Sequence, residues 1–228
     1  MIDEQISTAL AFKRSLEHDF QIASGLEDRA YFSATYSLPQ RSPLMWLNLN
    51  PGGTPLDYRI LSDEQLAKGK HEFWHGYGKT SRATGAFLER IFNVPPMQLR
   101  SVQGTNVAWE RSRTSSDMKL KDSAKRSAPF LKRYLQYASP DMLIFGGSAA
   151  FELFQGALRA RVEEEHEVLK GNWGPHQARI FVAATLLIPN LGSFETIVVS
   201  HPSRGIREDV LERCQARLGG MKLPPALA

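Results

Sequence analysis

The chain has 228 residues, 42% of them hydrophobic, enough to bury one substantial core, and its formal net charge of +4 permits a polyanionic partner without requiring one. Its one cysteine, Cys214, excludes a disulfide framework, a multi-thiolate metal site and an iron-sulfur cluster, and fits a reducing compartment. Met1-Ile2-Asp3-Glu4-Gln5 has neither a basic region nor an apolar core, and no stretch approaches the ~20 apolar residues of a membrane span, so a soluble, cytoplasmic protein is expected.

No linker or internal repeat divides the chain, so residues 1–228 are expected to form a single monomeric domain. From Asp3 to Ser24, Ile6, Leu10, Leu16 and Phe20 recur between charged residues at the spacing of a surface helix, about residues 3–24, with Gly25 as its C-cap. Ala30 to Pro43 is aromatic and serine-rich, is kept irregular by Pro39 and Pro43, and leads into the first strand. Leu44 to Leu49 is apolar apart from Asn48, as expected of a strand covered on both faces. Asn50-Pro51-Gly52-Gly53 then stops it: proline pushes Asn50 into an extended conformation, and the glycines let the chain pass close to a ligand. An Asn at a strand's carboxyl end is where open α/β sheets place their chemistry, although an ordinary Asn-Pro-Gly turn has the same composition.

Pro55 to Thr80 has little periodicity but holds His71, Phe73, Trp74, His75 and Tyr77 among glycines. Aromatics in such a loop suit base stacking; a satellite core beneath a long loop is the alternative. The two histidines lack acidic or thiol companions and read as polar loop residues, not metal ligands. Ser81 to Phe92 carries Phe87, Leu88, Ile91 and Phe92 on one helical stripe that should cover the first strand, and Val94-Pro95-Pro96 ends it. Arg100 to Ala108 reads as the second strand, with Asn106 near its carboxyl end.

From Arg100 to Arg133 there are nine basic residues against three acidic ones, so the positive charge is concentrated there. The polar stretch Glu110 to Lys121, with Arg111, Arg113 and Lys119, suits a loop lying along phosphates, although such runs are more often solvated. A helix follows through Ala124, Ala128, Leu131 and Leu135, where Pro129 either starts the main segment, with Ser127 as cap, or kinks it. Met142 to Phe145 is the third strand, and Gly146-Gly147-Ser148 opens a helix through Leu158. Neither a dinucleotide fingerprint nor a P-loop lysine is present, so these glycines read as tight strand-to-helix packing. Arg159 to Lys170 is charged, with Glu163-Glu164-Glu165 read as a solvated face, and Gly171 to Pro175 as a loop. Ile180 to Ile188 reads as a strand or a strand edge. Thr196 to Ser200 completes the sheet, ending in His201-Pro202-Ser203-Arg204-Gly205, and Glu208 to Leu218 closes as a helix before a proline-rich tail. Strands alternating with helices predict an α/β fold with a parallel sheet and ligands at its carboxyl ends.

Two of these turns carry a family likeness. Asn48-Leu49-Asn50-Pro51-Gly52 and His201-Pro202-Ser203 resemble the Gly-x-Asn-Pro-Gly and His-Pro-Ser motifs of the uracil-DNA glycosylase superfamily, in its mismatch-specific and single-strand-selective branches; Asn48 replaces the first glycine. Gly104-Thr105-Asn106-Val107 resembles the family's second strand, and Ala128 through Ala149 its following helix, strand and glycine turn. The likeness spans roughly Leu44 to Arg207 in the family's order. It implies a three-layer α/β/α sandwich with a central, mainly parallel four-stranded sheet.

The likeness also implies roles. Asn50 and His201 would be catalytic, Asn106 would read an extruded base beside Asn48, and Phe73 or Trp74 would stack on it. Ser203, Arg204 and Ile206 would meet DNA along with Arg111, Arg113 and Lys119. The family's wedge residue lies four positions after the histidine, which is Gly205 here, so Arg204 or Ile206 would take that part. The implied activity is a monofunctional DNA glycosylase acting on duplex or single-stranded DNA, with no metal or organic cofactor. A glycosylase excising a hypermodified base in phage defence, and a non-catalytic DNA- or nucleotide-binding module, are the competing readings.

Overall fold

The structure, a computed structural model, describes residues 2–25, 34–49, 61–76, 79–110, 119–173 and 176–227. Helix α1, Ile2–Ser24, buries Ala9, Lys13, Leu16 and Phe20 at three- and four-residue spacing. It ends where the Gly25 amide donates to the Ile22 carbonyl. The buried Lys13 ammonium keeps its charge by pairing with Glu17 (2.7 Å) and Asp63 (3.0 Å).

Strand β1, Leu44–Asn48, is buried along its whole length. Parallel to it on one side lies β2, Gln103–Asn106, and on the other β3, Met142–Gly146, followed by β6, Gly192–Val199. The sheet then continues antiparallel through β5, His176–Ile188, to β4, Arg161–Trp173, giving six strands in the order β2-β1-β3-β6-β5-β4. The expectation of a four-stranded sheet is therefore corrected: four parallel strands are present, within a mixed sheet of six.

The two added strands come from the stretch read as a charged, solvated face and a loop. Glu163, Glu164 and Glu165 lie in β4, as do Gly171 to Trp173, while residues 174–175 lie outside the described ones. Strand β5 buries Ile180, Phe181, Ala183, Ala184, Leu186 and Ile188, and this apolar strand needs a hydrogen-bonded neighbour on its outer edge. Pairing with β5 overrides the polar composition of β4, at the expense of three register shifts.

Helices cover both faces. Met45, Leu47, Leu143 and Phe145 pack with α1, with α5 (Leu120–Ala138) and with α6 (Ser148–Leu158). Leu44, Trp46, Ile144 and Ile197, pointing the opposite way, pack with α4 (Lys79–Phe92) and α7 (Glu208–Leu218). The alternation of neighbouring β1 residues between two cores is the period-2 geometry of a strand buried on both faces. Helix α4 thus covers β1 as its stripe predicts. Helix α5 begins well before Pro129, which sits inside it; Ser127 is no cap, its hydroxyl donating to the Ser123 carbonyl and accepting from the Trp109 amide (both 3.0 Å). Two short helices, α2 (Asp63–Ala67) and α3 (Glu72–His75), occupy the region predicted to lack periodicity. The second strand is shorter than expected because Pro96–Leu99 ahead of it form a 3-10 turn.

Candidate functional site

The carboxyl ends of the four parallel strands bring the predicted polar residues into one row. Asn106 ends β2 and Asn48 ends β1, and the two are register partners. Gly146 ends β3 opposite Val199 of β6, and His201 follows two residues later. A Cβ on Gly146 would lie 2.6 Å from Asn48 Oδ1, and one on Gly147 would lie 3.8 Å from the His201 Cβ. The glycine pair is therefore the floor between Asn48 and His201. Gly147 has φ +122°, a conformation that side chains resist, and its turn launches α6 directly from the strand end. Asn50, the central residue of the first motif, lies outside the described residues, two positions beyond Asn48.

Tyr36 joins the two asparagines. Its hydroxyl donates to Asn106 Oδ1 at 2.6 Å and accepts from Asn48 Nδ2 at 3.3 Å, while Asn48 Oδ1 accepts from the Trp46 indole at 2.9 Å. Exposure is 0% for Asn106, 5% for Asn48 and 7% for Tyr36. Asn106 Nδ2 has no hydrogen-bond partner, an omission that costs about 1–3 kcal/mol for a buried amide. A donor left unpaired in this position is what a site waiting for an acceptor presents. Sequence reasoning missed Tyr36. It sits in the aromatic, serine-rich lead-in to β1, and only the tertiary placement of that segment against β2, through the Tyr36 amide on the Gly104 carbonyl (2.9 Å), reveals it.

His201 is half-buried, and its Nδ1 lies 2.7 Å from Ser203 Oγ. Burial, with the Arg204 charge adding to it, holds its pKa below the usual histidine range, so the ring is neutral at pH 7. When the Ser203 hydroxyl donates to Nδ1, Nε2 carries the proton and is the ring's donor. Pro202–Arg204 form a 3-10 turn closed by Gly205 at φ +82°, with Arg204 exposed and Ile206 half-buried against the α4 and α7 core.

The aromatic pair separates. Phe73 is fully buried, its ring 5.3 Å from Tyr36 and 6.4 Å from Trp46, so it braces the residues that hold the asparagines. Trp74 turns toward α4, donating from Nε1 to Glu89 at 2.7 Å. His71 is structural: Nδ1 accepts from the Phe73 amide (3.1 Å), and Nε2 reaches the Val102 carbonyl (2.8 Å).

The basic run is partly neutralised. Arg126 pairs with Glu110 (2.6 Å) and Arg133 with Asp19 (2.7 Å). Lys119 is exposed at the start of α5; Lys121 and Lys125 line a groove of about 540 Å³ with Leu49, Ala149 and Glu152, beginning one residue before Asn50. Arg111 and Arg113 lie outside the described residues. Among the described residues no helix is long and apolar enough to cross a membrane. No protein-family model and no curated protein matches this chain.

Proposed function

We propose that this chain is a monofunctional DNA glycosylase of the uracil-DNA glycosylase type, which flips a base from DNA and hydrolyses its N-glycosidic bond to leave an abasic site. The observation that carries this reading is the row Asn106, Asn48 and His201 at the carboxyl ends of neighbouring parallel strands, with an unpaired buried amide at one end and a neutral imidazole at the other. On this reading the four parallel strands are the core of a three-layer sandwich, and the β4–β5 hairpin is an addition at its edge.

The scission has an oxocarbenium-like sugar and an anionic leaving base, so stabilising the base matters more than a strong nucleophile. The C–N bond breaks with its electron pair passing to the base, and water adds to the anomeric carbon. His201 donates from Nε2 to a carbonyl oxygen of the departing base, where charge accumulates. Asn50, as an amide, orients the water but has no useful basicity to deprotonate it. Asn106 meets the far edge of the base, and Phe73 stiffens that wall. No metal or organic cofactor enters the scheme.

Asn48 adds a side chain where the family motif has none, which favours a base of ordinary size over an enlarged one. DNA carrying uracil, set against DNA carrying enlarged bases, in duplex and single-stranded form, tests the reading by the yield of alkali-sensitive abasic sites. Asn50→Ala and His201→Ala should each lower base release by ~100-fold or more while leaving DNA affinity largely intact, the scale of losing one positioned donor or catalytic group. Near-full rates in both variants would remove the assignment, and DNA binding without base release from any substrate would leave a binding module.

A further inference from the structure

We propose that Trp46, Asn48 and Tyr36 form a one-way chain of hydrogen bonds that fixes the polarity of the Asn106 amide, so that this position offers a donor and selects a carbonyl edge over an amino edge. The inference rests on the site just assigned and concerns which chemical edge it accepts.

The direction follows from donor and acceptor inventories. An indole nitrogen only donates, so Asn48 must turn its oxygen to Trp46 (2.9 Å); the flipped amide would set N–H against N–H. That choice sends the Asn48 NH2 group to the Tyr36 oxygen (3.3 Å). Tyr36 has one hydroxyl proton, and with its oxygen accepting from Asn48 the proton goes to Asn106. The 2.6 Å separation suits O–H···O and is short for N–H···O. Asn106 thereby commits its oxygen to Tyr36 and is left with Nδ2 unpartnered in a fully buried position. Three features protect the chain. Gly146 leaves the room that Asn48 and Trp46 occupy, since a Cβ there would come within 2.6 Å of Asn48 Oδ1 and 3.1 Å of Trp46 Nε1. Gly104 leaves room for the Tyr36 ring, 2.6 Å from where a Cβ would stand. Phe73 packs edge-on against both Tyr36 and Trp46.

Asn48 is the residue that departs from the glycine of the family motif, and here it is the link that carries polarity from the indole to the tyrosine. Trp46, Asn48 and Tyr36 are positioning residues. The group that touches the ligand is Asn106.

Free uracil and free cytosine are the probes, because they differ in carrying a carbonyl or an amino group at ring position 4. Titrated into isotope-labelled protein, uracil should bind at least ~10-fold more tightly than cytosine and move the Asn106 side-chain amide resonance, the discrimination expected when a buried donor is paired in one complex and opposed in the other. Tyr36→Phe frees the Asn106 oxygen and lets the amide rotate, and Trp46→Phe removes the donor that sets the direction. Each should bring the two affinities within about threefold of one another without abolishing binding. Tyr36→Phe keeps the ring against Phe73 and carries the test if Trp46→Phe does not fold. Equal affinities in the unaltered protein, binding of neither base, or a preference untouched in the folded variants overturns the inference. A uracil preference that collapses in Tyr36→Phe, in a protein that releases no base from DNA, would sink the glycosylase reading alone. Base release with an unaltered preference in both variants would sink only the polarity chain.

Discussion

His71 is held neutral by what surrounds it. Its Nδ1 accepts from the Phe73 amide and its Nε2 donates to the Val102 carbonyl, so a second ring proton would oppose the Phe73 N–H. Burial is the larger effect and pushes its pKa down to about 3. In the unfolded chain the same ring takes up a proton near pH 6.5. The folded value lies below the unfolded one, so the unfolded state binds the proton first; the stabilisation is complete above pH 6.5 and is lost as pH falls toward 3. Denaturant unfolding at a series of pH values should show His71 contributing a slope of about 1.4 kcal/mol per pH unit across that window. His71→Gln keeps an acceptor and a donor but cannot titrate, so its slope should be smaller by that amount; an unchanged slope would place the proton uptake elsewhere. The sequence labels His71 correctly as a polar loop residue, because it lacks acidic and thiol companions. It cannot indicate that the ring caps α3 and fixes Phe73 against Tyr36, since both interactions depend on where β2 lies.

At the scale of elements, the turn after β6 and the start of α5 are the two segments aimed at DNA. The sequence leaves Arg204 and Ile206 equal as wedge candidates, and their surroundings now differ. Ile206 packs on the α4 and α7 core, whereas Arg204 is exposed on the 3-10 turn, with a guanidinium able to stack in a duplex gap. Arg204→Ala should lower activity on duplex DNA at least ~10-fold more than on single strands, which have no gap to fill. Ile206→Ala should chiefly lower the melting temperature; equal losses of activity on both substrates for Arg204→Ala would leave it a phosphate clamp. On α5 the count of basic residues overstates the free charge, because Arg126 and Arg133 are paired with Glu110 and Asp19. Lys119→Gln, Lys121→Gln and Lys125→Gln together should flatten the salt dependence of duplex binding by about 0.9 log-log units for each phosphate that these lysines neutralise, and Arg133→Gln should leave it unchanged. A slope that responds to Arg133 and not to the lysines would move the DNA track to the α1 side of the helix.

For the molecule as a whole, the four parallel strands are legible in sequence because each is an apolar run ending in a polar or glycine turn. The outer hairpin is not, because β4 draws its structure from a neighbour. Its glutamates carry no strand pattern, and yet Glu163 accepts from Ser193 (2.6 Å), Glu165 pairs with Arg179 (2.8 Å), and Glu167 holds Arg213 and Arg217 of α7. The hairpin sets the apolar β5 between β6 and a charged border, with β4 the last strand of the sheet. An edge with unpaired backbone groups invites a second chain to add to it, and like charges along the edge oppose that approach. Replacing Glu163, Glu164 and Glu165 together with threonine keeps residues suited to a strand and removes three negative charges, sacrificing only weak, solvent-exposed pairs worth ~0–1 kcal/mol each. The fold should persist, with circular dichroism unchanged, while sedimentation measured across a concentration series shifts to larger species than the unaltered protein forms at the same concentrations. A variant that sediments like the parent at every concentration would mean that these glutamates serve only their partners on Ser193 and Arg179, and that something other than charge keeps the edge of β4 from pairing.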